Sequence, residues 1–161
     1  MASKKEPIYL TPQGLEKIKE ELIYLSETRR QELSEYMGSA IADGDLRESA
    51  AYDEARLLQS ANETRIADLE EIIHRAVVVE HQEGDEAIAR LGAMIEVLDK
   101  KTQETFNFRL VGTHEADILQ NHISDESPLG AQLMGRKIDE EIKIQLGQKS
   151  FDYKVVNVSF E

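Results

Sequence analysis

Residues 43–49 read DGDLRES, and within them Asp45 and Glu48 stand three positions apart, with Asp43 just ahead. Carboxylates are hard oxygen ligands, and Mg²⁺ is commonly held by one or two of them while water and substrate phosphates complete its shell. Two carboxylates on a slender support would make an incomplete site, useful only when brought beside a phosphate and another metal ion. The same spacing is that of a helix capping box, in which the N-cap acid and a glutamate at N3 satisfy free backbone N–H groups. Negative charge is favoured at a helix N-terminus in any case. The residues alone leave both readings open, and the two are compatible, because a cap can hold a carboxylate in place. No other stretch offers comparable chemistry. His74, His81, His114 and His122 lack ligand spacing and read as solvated surface residues. There is no cysteine, no glycine-rich phosphate loop and no nucleophile–base arrangement.

A support for these carboxylates is written on both sides of them. Thr11-Pro12 opens a helix, with threonine at the N-cap and proline at the first helical position, where its missing N–H costs nothing. Leu15, Ile18, Leu22 and Leu25 follow at spacings of three and four, marking one apolar stripe. The stripe continues more weakly through Leu33, Tyr36, Met37, Ala40 and Ile41, with Gly38 a soft point. After the acidic break, Ala51, Ala55, Leu58, Asn62, Arg65, Leu69 and Ile72 alternate at four and three, which predicts a heptad seam. Two helices of about 30 residues joined by a short loop must run antiparallel. At ~1.5 Å per residue each arm is about 45 Å long. Small alanines near the break predict a narrow end, so the hairpin reads as a probe carrying DGDLRES at its tip.

The periodicity changes after residue 79. Val77-Val78-Val79 predicts a short strand, and residues 81–86 are polar and loop-like. Met94 to Leu98, Phe106/Phe108/Leu110, Ile142/Ile144/Leu146 and Phe151/Tyr153/Val155 then show the period of two expected of half-buried strands, with a turn at 147–150. Ser127-Pro128 through Gly135 predicts a short capped helix ending at glycine. Phe106, Phe108, Phe151, Tyr153 and Phe160 read as core. The fold class is therefore α+β, with a helical hairpin over residues 1–79 and a compact, mostly antiparallel sheet domain over 80–161.

Composition limits the partners. The chain carries 32 Asp+Glu against 19 Lys+Arg, a net charge of −13. Both parts are acidic: 10 basic against 16 acidic residues in 1–79, and 9 against 16 in 80–161. Autonomous nucleic-acid binding needs clustered cations, so any contact with nucleic acid is expected to be local or made through a partner. No apolar run approaches membrane-spanning length. The first residues lack the apolar stretch of a secretory signal, and the absence of cysteine excludes a disulfide framework. A cytoplasmic protein is expected.

Three ordered motifs resemble the Gre family of bacterial transcript-cleavage factors. They are Thr11-Pro12-x-Gly14-Leu15-Glu16-Lys17 with Glu20-Glu21-Leu22-x-x-Leu25; Gly44-Asp45-Leu46-x-Glu48-x-Ala50-x-Tyr52-x-x-Ala55-Arg56; and Val111-Gly112-x-x-Glu115-Ala116-Asp117, Ile123-Ser124 and Ser127-Pro128-Leu129-Gly130-x-x-Leu133-x-Gly135. The resemblance implies a coiled-coil hairpin that enters the secondary channel of RNA polymerase and an FKBP-like domain that docks at its rim through Ser127, Pro128, Leu129 and Gly130. It implies that Asp45 and Glu48 help the polymerase hold a second Mg²⁺ and position the attacking water, so that the polymerase hydrolyses the 3′ end of a backtracked transcript. Arg47, Ser49, Tyr52 and Arg56 are then candidates for contact with the transcript or the polymerase. The protein would be a monomer, inactive by itself, binding no metal stably alone and reaching the DNA and RNA of the elongation complex through the polymerase. Ser49 stands where the family usually has asparagine, Ile41 where a basic residue often precedes the tip, and Asp43 is an added acid. A channel-binding inhibitor of the same architecture is the alternative, and a prolyl isomerase is a third reading suggested only by the FKBP-like expectation.

Overall fold

A computed structural model of the chain describes residues 5–42, 50–80 and 88–160. It divides into two units: Met1–Glu6 with Leu15–Ala76, and Pro7–Gly14 with Val77–Glu161.

The first unit is a helical hairpin. Its first arm is α1 (Pro12–Ile23), a π-helical segment (Tyr24–Arg29) and α2 (Arg30–Ala42), and its second arm is α3 (Ala50–Arg75). The π segment resolves an irregularity in the apolar stripe. From Leu25 a strict heptad would next bury position 32, but Leu33 is the buried residue and Ala40 follows it seven later. One extra residue has been inserted, and a single π turn absorbs it without turning the stripe away from the partner arm. Within that turn Leu25 O accepts both the Arg30 N–H and the Asn62 side-chain amide, the latter at 3.1 Å. Asn62 is only 7% exposed, and its Oδ1 has no hydrogen-bond partner. A buried asparagine in a seam costs stability and specifies register.

The expected seam of α3 needs two corrections. Ile66, not Arg65, is buried, and Ala51 is exposed. Arg65 lies beside the seam and reaches across to Glu21 at 2.8 and 3.0 Å. Of the remaining positions, Ala55, Asn62, Leu69 and Ile72 are buried and Leu58 is half-buried. Small residues do lie near the break, where Ala40 and Ala55 are both buried. Gly38 has open space around the position of a side chain. Gly38→Ala is therefore expected to stabilise the hairpin by about 0.5–1 kcal/mol, from helix propensity alone, as a rise in the thermal midpoint.

The second unit is built on a five-stranded sheet of order β5-β4-β3-β7-β6: β3 (Met94–Asp99), β4 (Thr105–Val111), β5 (His122–Ser124), β6 (Glu141–Leu146) and β7 (Lys149–Ser159). All neighbours are antiparallel except β4 and β5. Two further strands, β1 (Ile8–Leu10) and β2 (Ala76–Val78), pair separately. The expected strand at 77–79 is thus β2, shifted by one, while β1 is too short for a periodicity signal. The turn between β6 and β7 is tighter than expected: Leu146 pairs with Lys149, so Lys149 and Ser150 belong to β7.

Alternation places Ile95, Val97, Leu110, Ile142 and Ile144 in one core with Leu133 of α4 (Pro128–Leu133), and a register shift where β7 passes Glu96 and Val97 brings both Val155 and Val158 to the same face. The aromatics expected in that core are instead at its margin. Phe106 is 38% exposed, and Phe108, Phe151, Tyr153 and Phe160 are half-buried against the core cluster. A helix of six residues spans about 9 Å, too short to cover the whole apolar face. The rings cover each other instead, Phe106 lying 6.2 Å from Phe108 and 6.5 Å from Tyr153.

Candidate functional site

Asp43, Asp45, Arg47, Glu48 and Ser49 lie outside the described residues. The structure describes what frames them: α2 ends at Ala42 and α3 begins at Ala50, and side chains cross between the arms at several levels. Tyr36 donates its hydroxyl to Glu54 at 2.8 Å. The Arg30 guanidinium forms a two-pronged bridge to Glu63, both contacts 2.8 Å, and Arg65 makes the corresponding fork to Glu21. Planar guanidinium–carboxylate forks are geometrically demanding, so each fixes the axial register of one arm against the other. That register determines where the two ends of the 43–49 segment start.

The electrostatics follow this geometry. The Glu63 carboxyl is held below its ordinary range chiefly by the hydrogen bond from Arg30, with the Arg30 charge adding to it, against an opposing effect of desolvation that is larger than the charge effect. The Glu54 carboxylate, through its hydrogen bond, raises the Tyr36 phenol. A carboxyl whose folded pKa is depressed contributes stability above its unfolded value and loses it as pH falls through the folded one. The difference in thermal midpoint between wild type and Glu63→Gln is therefore expected to be present at neutral pH and to disappear on acidification below the carboxylate range.

Of the remaining candidates on the hairpin, Arg56 lies with its guanidinium carbon 6.0 Å from the centre of the Tyr52 ring. Arg56 is exposed and Tyr52 half-buried, so the ring supports a cation close to the start of α3. Ile41 is 48% exposed in the last turn of α2. In the second unit, Ser127 caps α4 by accepting from Gly130 N at 3.0 Å. Its hydroxyl also donates to Ser124 O at 2.6 Å. Gly130 is required by close approach, because a Cβ there would overlap Ser124 O. Leu129 packs against the core, and Pro128 is exposed. Ser127 and Gly130 thus build the loop, while Pro128 is the member of the four turned to solvent. Among the described residues no group of histidines and acids has the arrangement of a metal site. His122 is half-buried, unlike the solvated residue expected. The arm-to-arm pairs were missed from sequence, although opposite charges flanking the two stripes were the available signal.

The helical hairpin and the sheet unit make this a mixed α+β protein of two units. The family described as "Transcription elongation factor, N-terminal" matches residues 8–78, and that described as "Transcription elongation factor, GreA/GreB, C-term" matches residues 80–160. The chain belongs to the GreA/GreB family of transcription elongation factors. It is similar to the transcription elongation factor GreA of Clostridium acetobutylicum, with 35% identity covering 97% of this chain and 99% of that relative. It is similar too to GreA of Thermodesulfovibrio yellowstonii, with 38% identity covering 96% and 98%. Among solved structures, GreA factor homolog 1 (Gfh1) of Thermus thermophilus is 27% identical, with 95% and 99% coverage and a TM-score of 0.43. Among the described residues no helix is long and apolar enough to cross a membrane.

Proposed function

We propose that this protein is a monomeric, cytoplasmic cofactor of RNA polymerase that stimulates the polymerase's own cleavage of backtracked transcripts. The observation that carries this reading is membership of the elongation-factor family across residues 8–160 with two acids, Asp45 and Glu48, in the segment that joins the arms of its hairpin. The hairpin enters the polymerase's secondary channel and delivers those acids to the catalytic centre, while Pro128, on the loop built by Ser127, Leu129 and Gly130, docks at the rim.

Asp45 and Glu48 have the donor chemistry that Mg²⁺ takes, two carboxylates leaving the rest of the shell to water and phosphate. An ion shared there with the polymerase supplies charge neutralisation and activation of water for an in-line phosphoryl displacement. The chain's own residues hold and orient: Asp45 and Glu48 offer oxygen ligands and an acceptor for the attacking water, and Arg56, carried over Tyr52, offers a cation to the transcript's 3′ segment beside Arg47 and Ser49. The protein hydrolyses nothing alone, because its two carboxylates are an incomplete ligand set. Net charge of −13 fits a factor that finds its target by docking on protein rather than on phosphate.

The test is release of a 3′ fragment when purified protein and Mg²⁺ are added to backtracked elongation complexes. No fragment, with nucleotide addition blocked, would overturn this reading in favour of inhibition.

A further inference from the structure

Two of the sequence motifs take no part in the chemistry proposed for the hairpin end: Thr11-Pro12-x-Gly14 and Val111-Gly112-x-x-Glu115. Though 104 positions apart, they meet within the second unit. Glu115 closes the short turn Thr113–Glu115 that follows β4 and is half-buried. Its Oε2 accepts from the Thr11 backbone N–H at 2.9 Å, and its Oε1 accepts from the Thr11 hydroxyl. That hydroxyl in turn accepts from Gly14 N at 3.0 Å. The threonine N-cap therefore works in both directions, receiving a helix N–H and passing its own hydrogen to the carboxylate.

The surrounding backbone is shaped to admit this carboxylate. A Cβ on Gly14 would overlap the Glu115 side chain, and a Cβ on Gly112 would overlap the carbonyl oxygen of Tyr9. Glu115 N donates to Gly112 O at 2.9 Å, which fixes the turn that presents the side chain. Thr11 is 5% exposed, so its two donors have no water to fall back on. A carboxylate is the group suited to the place. It accepts both donors at once, and its charge sits at the N-terminus of α1, where the helix dipole favours it. An amide would offer one acceptor and one donor, leaving a hydroxyl hydrogen opposed by an N–H.

We propose that Glu115 is a positioning residue: it clamps the first turn of α1 to the turn after β4, giving the helix that leads towards Asp45 and Glu48 a fixed root. This rests on the cleavage reading above and names a further residue on which that activity depends. Placement matters because misplacing a reacting group by about 1 Å, by a change far from the chemistry, can lower a rate by roughly 100-fold.

The test uses full-length Glu115→Gln and Gly14→Ala, with Thr11→Ser as the conservative variant that keeps the hydroxyl. Amide exchange without polymerase should be about tenfold faster or more over residues 13–16 in the first two variants, and near wild type in Thr11→Ser. At saturating factor, fragment release should fall roughly 10- to 100-fold in Glu115→Gln, with the half-saturating concentration nearly unchanged. A merely structural role would reduce the active fraction and be rescued by adding more protein. Unchanged exchange would overturn the clamp, and fast exchange with a wild-type saturated cleavage rate would overturn the positioning role. If wild type itself releases no fragment, the cleavage reading falls and the positioning role with it, an outcome distinct from either failure in the variant alone.

Discussion

Replacing Asp45 by Asn, or Glu48 by Gln, is expected to suppress fragment release from backtracked complexes roughly 100- to 1,000-fold while leaving binding to the polymerase within about threefold. Both substitutions preserve side-chain shape and remove charge, so they separate ligation from packing. An amide oxygen is a poorer ligand for a hard cation than a carboxylate oxygen, and the loss should therefore be partly recovered by raising Mg²⁺. Two ligands of one ion act as a unit, so the double variant is expected to be little worse than either single one. The contrast with capping is sharp. If the pair served only as a capping box, Asp45→Asn would be nearly silent, since asparagine is as good an N-cap as aspartate. Full cleavage in both single variants would exclude the ligand role for Asp45 and Glu48 and leave the cap as their purpose.

Elements fixed by local chemistry were legible in the sequence. Thr11-Pro12 predicts the start of α1 because cap and proline act within one turn, and Ser127-Pro128 predicts α4 for the same reason. Strands β3, β4, β6 and β7 are legible because one face of each is buried and alternation with a period of two follows from that. What escaped depends on partners distant in sequence. Arg65 stands at a heptad position but is drawn out by Glu21 on the other arm, and Ile66 takes its place in the seam. Their period alone predicts the aromatics in the core, but α4 is too short to cover them. Glu115 was visible only as part of a motif. Its partner Thr11 lies 104 positions away, and no periodicity connects a turn to a helix cap. For the candidate site the residue types were readable, whereas the forks that set the register of its supports were not.

The π segment gives the second prediction, an asymmetry between deletion and insertion at one place. Leu25 and Leu33 are eight apart where a heptad needs seven, and residues 24–29 absorb the difference. Deleting Glu27, which is exposed, restores a spacing of seven, so the arm can run as an uninterrupted α-helix with Leu33, Met37 and Ala40 still facing α3. The thermal midpoint should change little, although Asn62 would lose the widened turn in which Leu25 O receives it. Pairing Glu27 deletion with Asn62→Leu removes a buried polar group whose Oδ1 has no partner, and is expected to raise stability above that of the deletion alone. Inserting one alanine after Glu27 has the opposite result. A second extra residue turns everything beyond it by about 100°, carrying Leu33 out of the seam, and exposing one buried leucine costs about 1.5–3 kcal/mol. Thermal melts of the three variants, with helix content followed by circular dichroism, decide the matter. Equal destabilisation by deletion and insertion would mean that the π turn is required for itself and is not the absorbed remainder of a heptad slip.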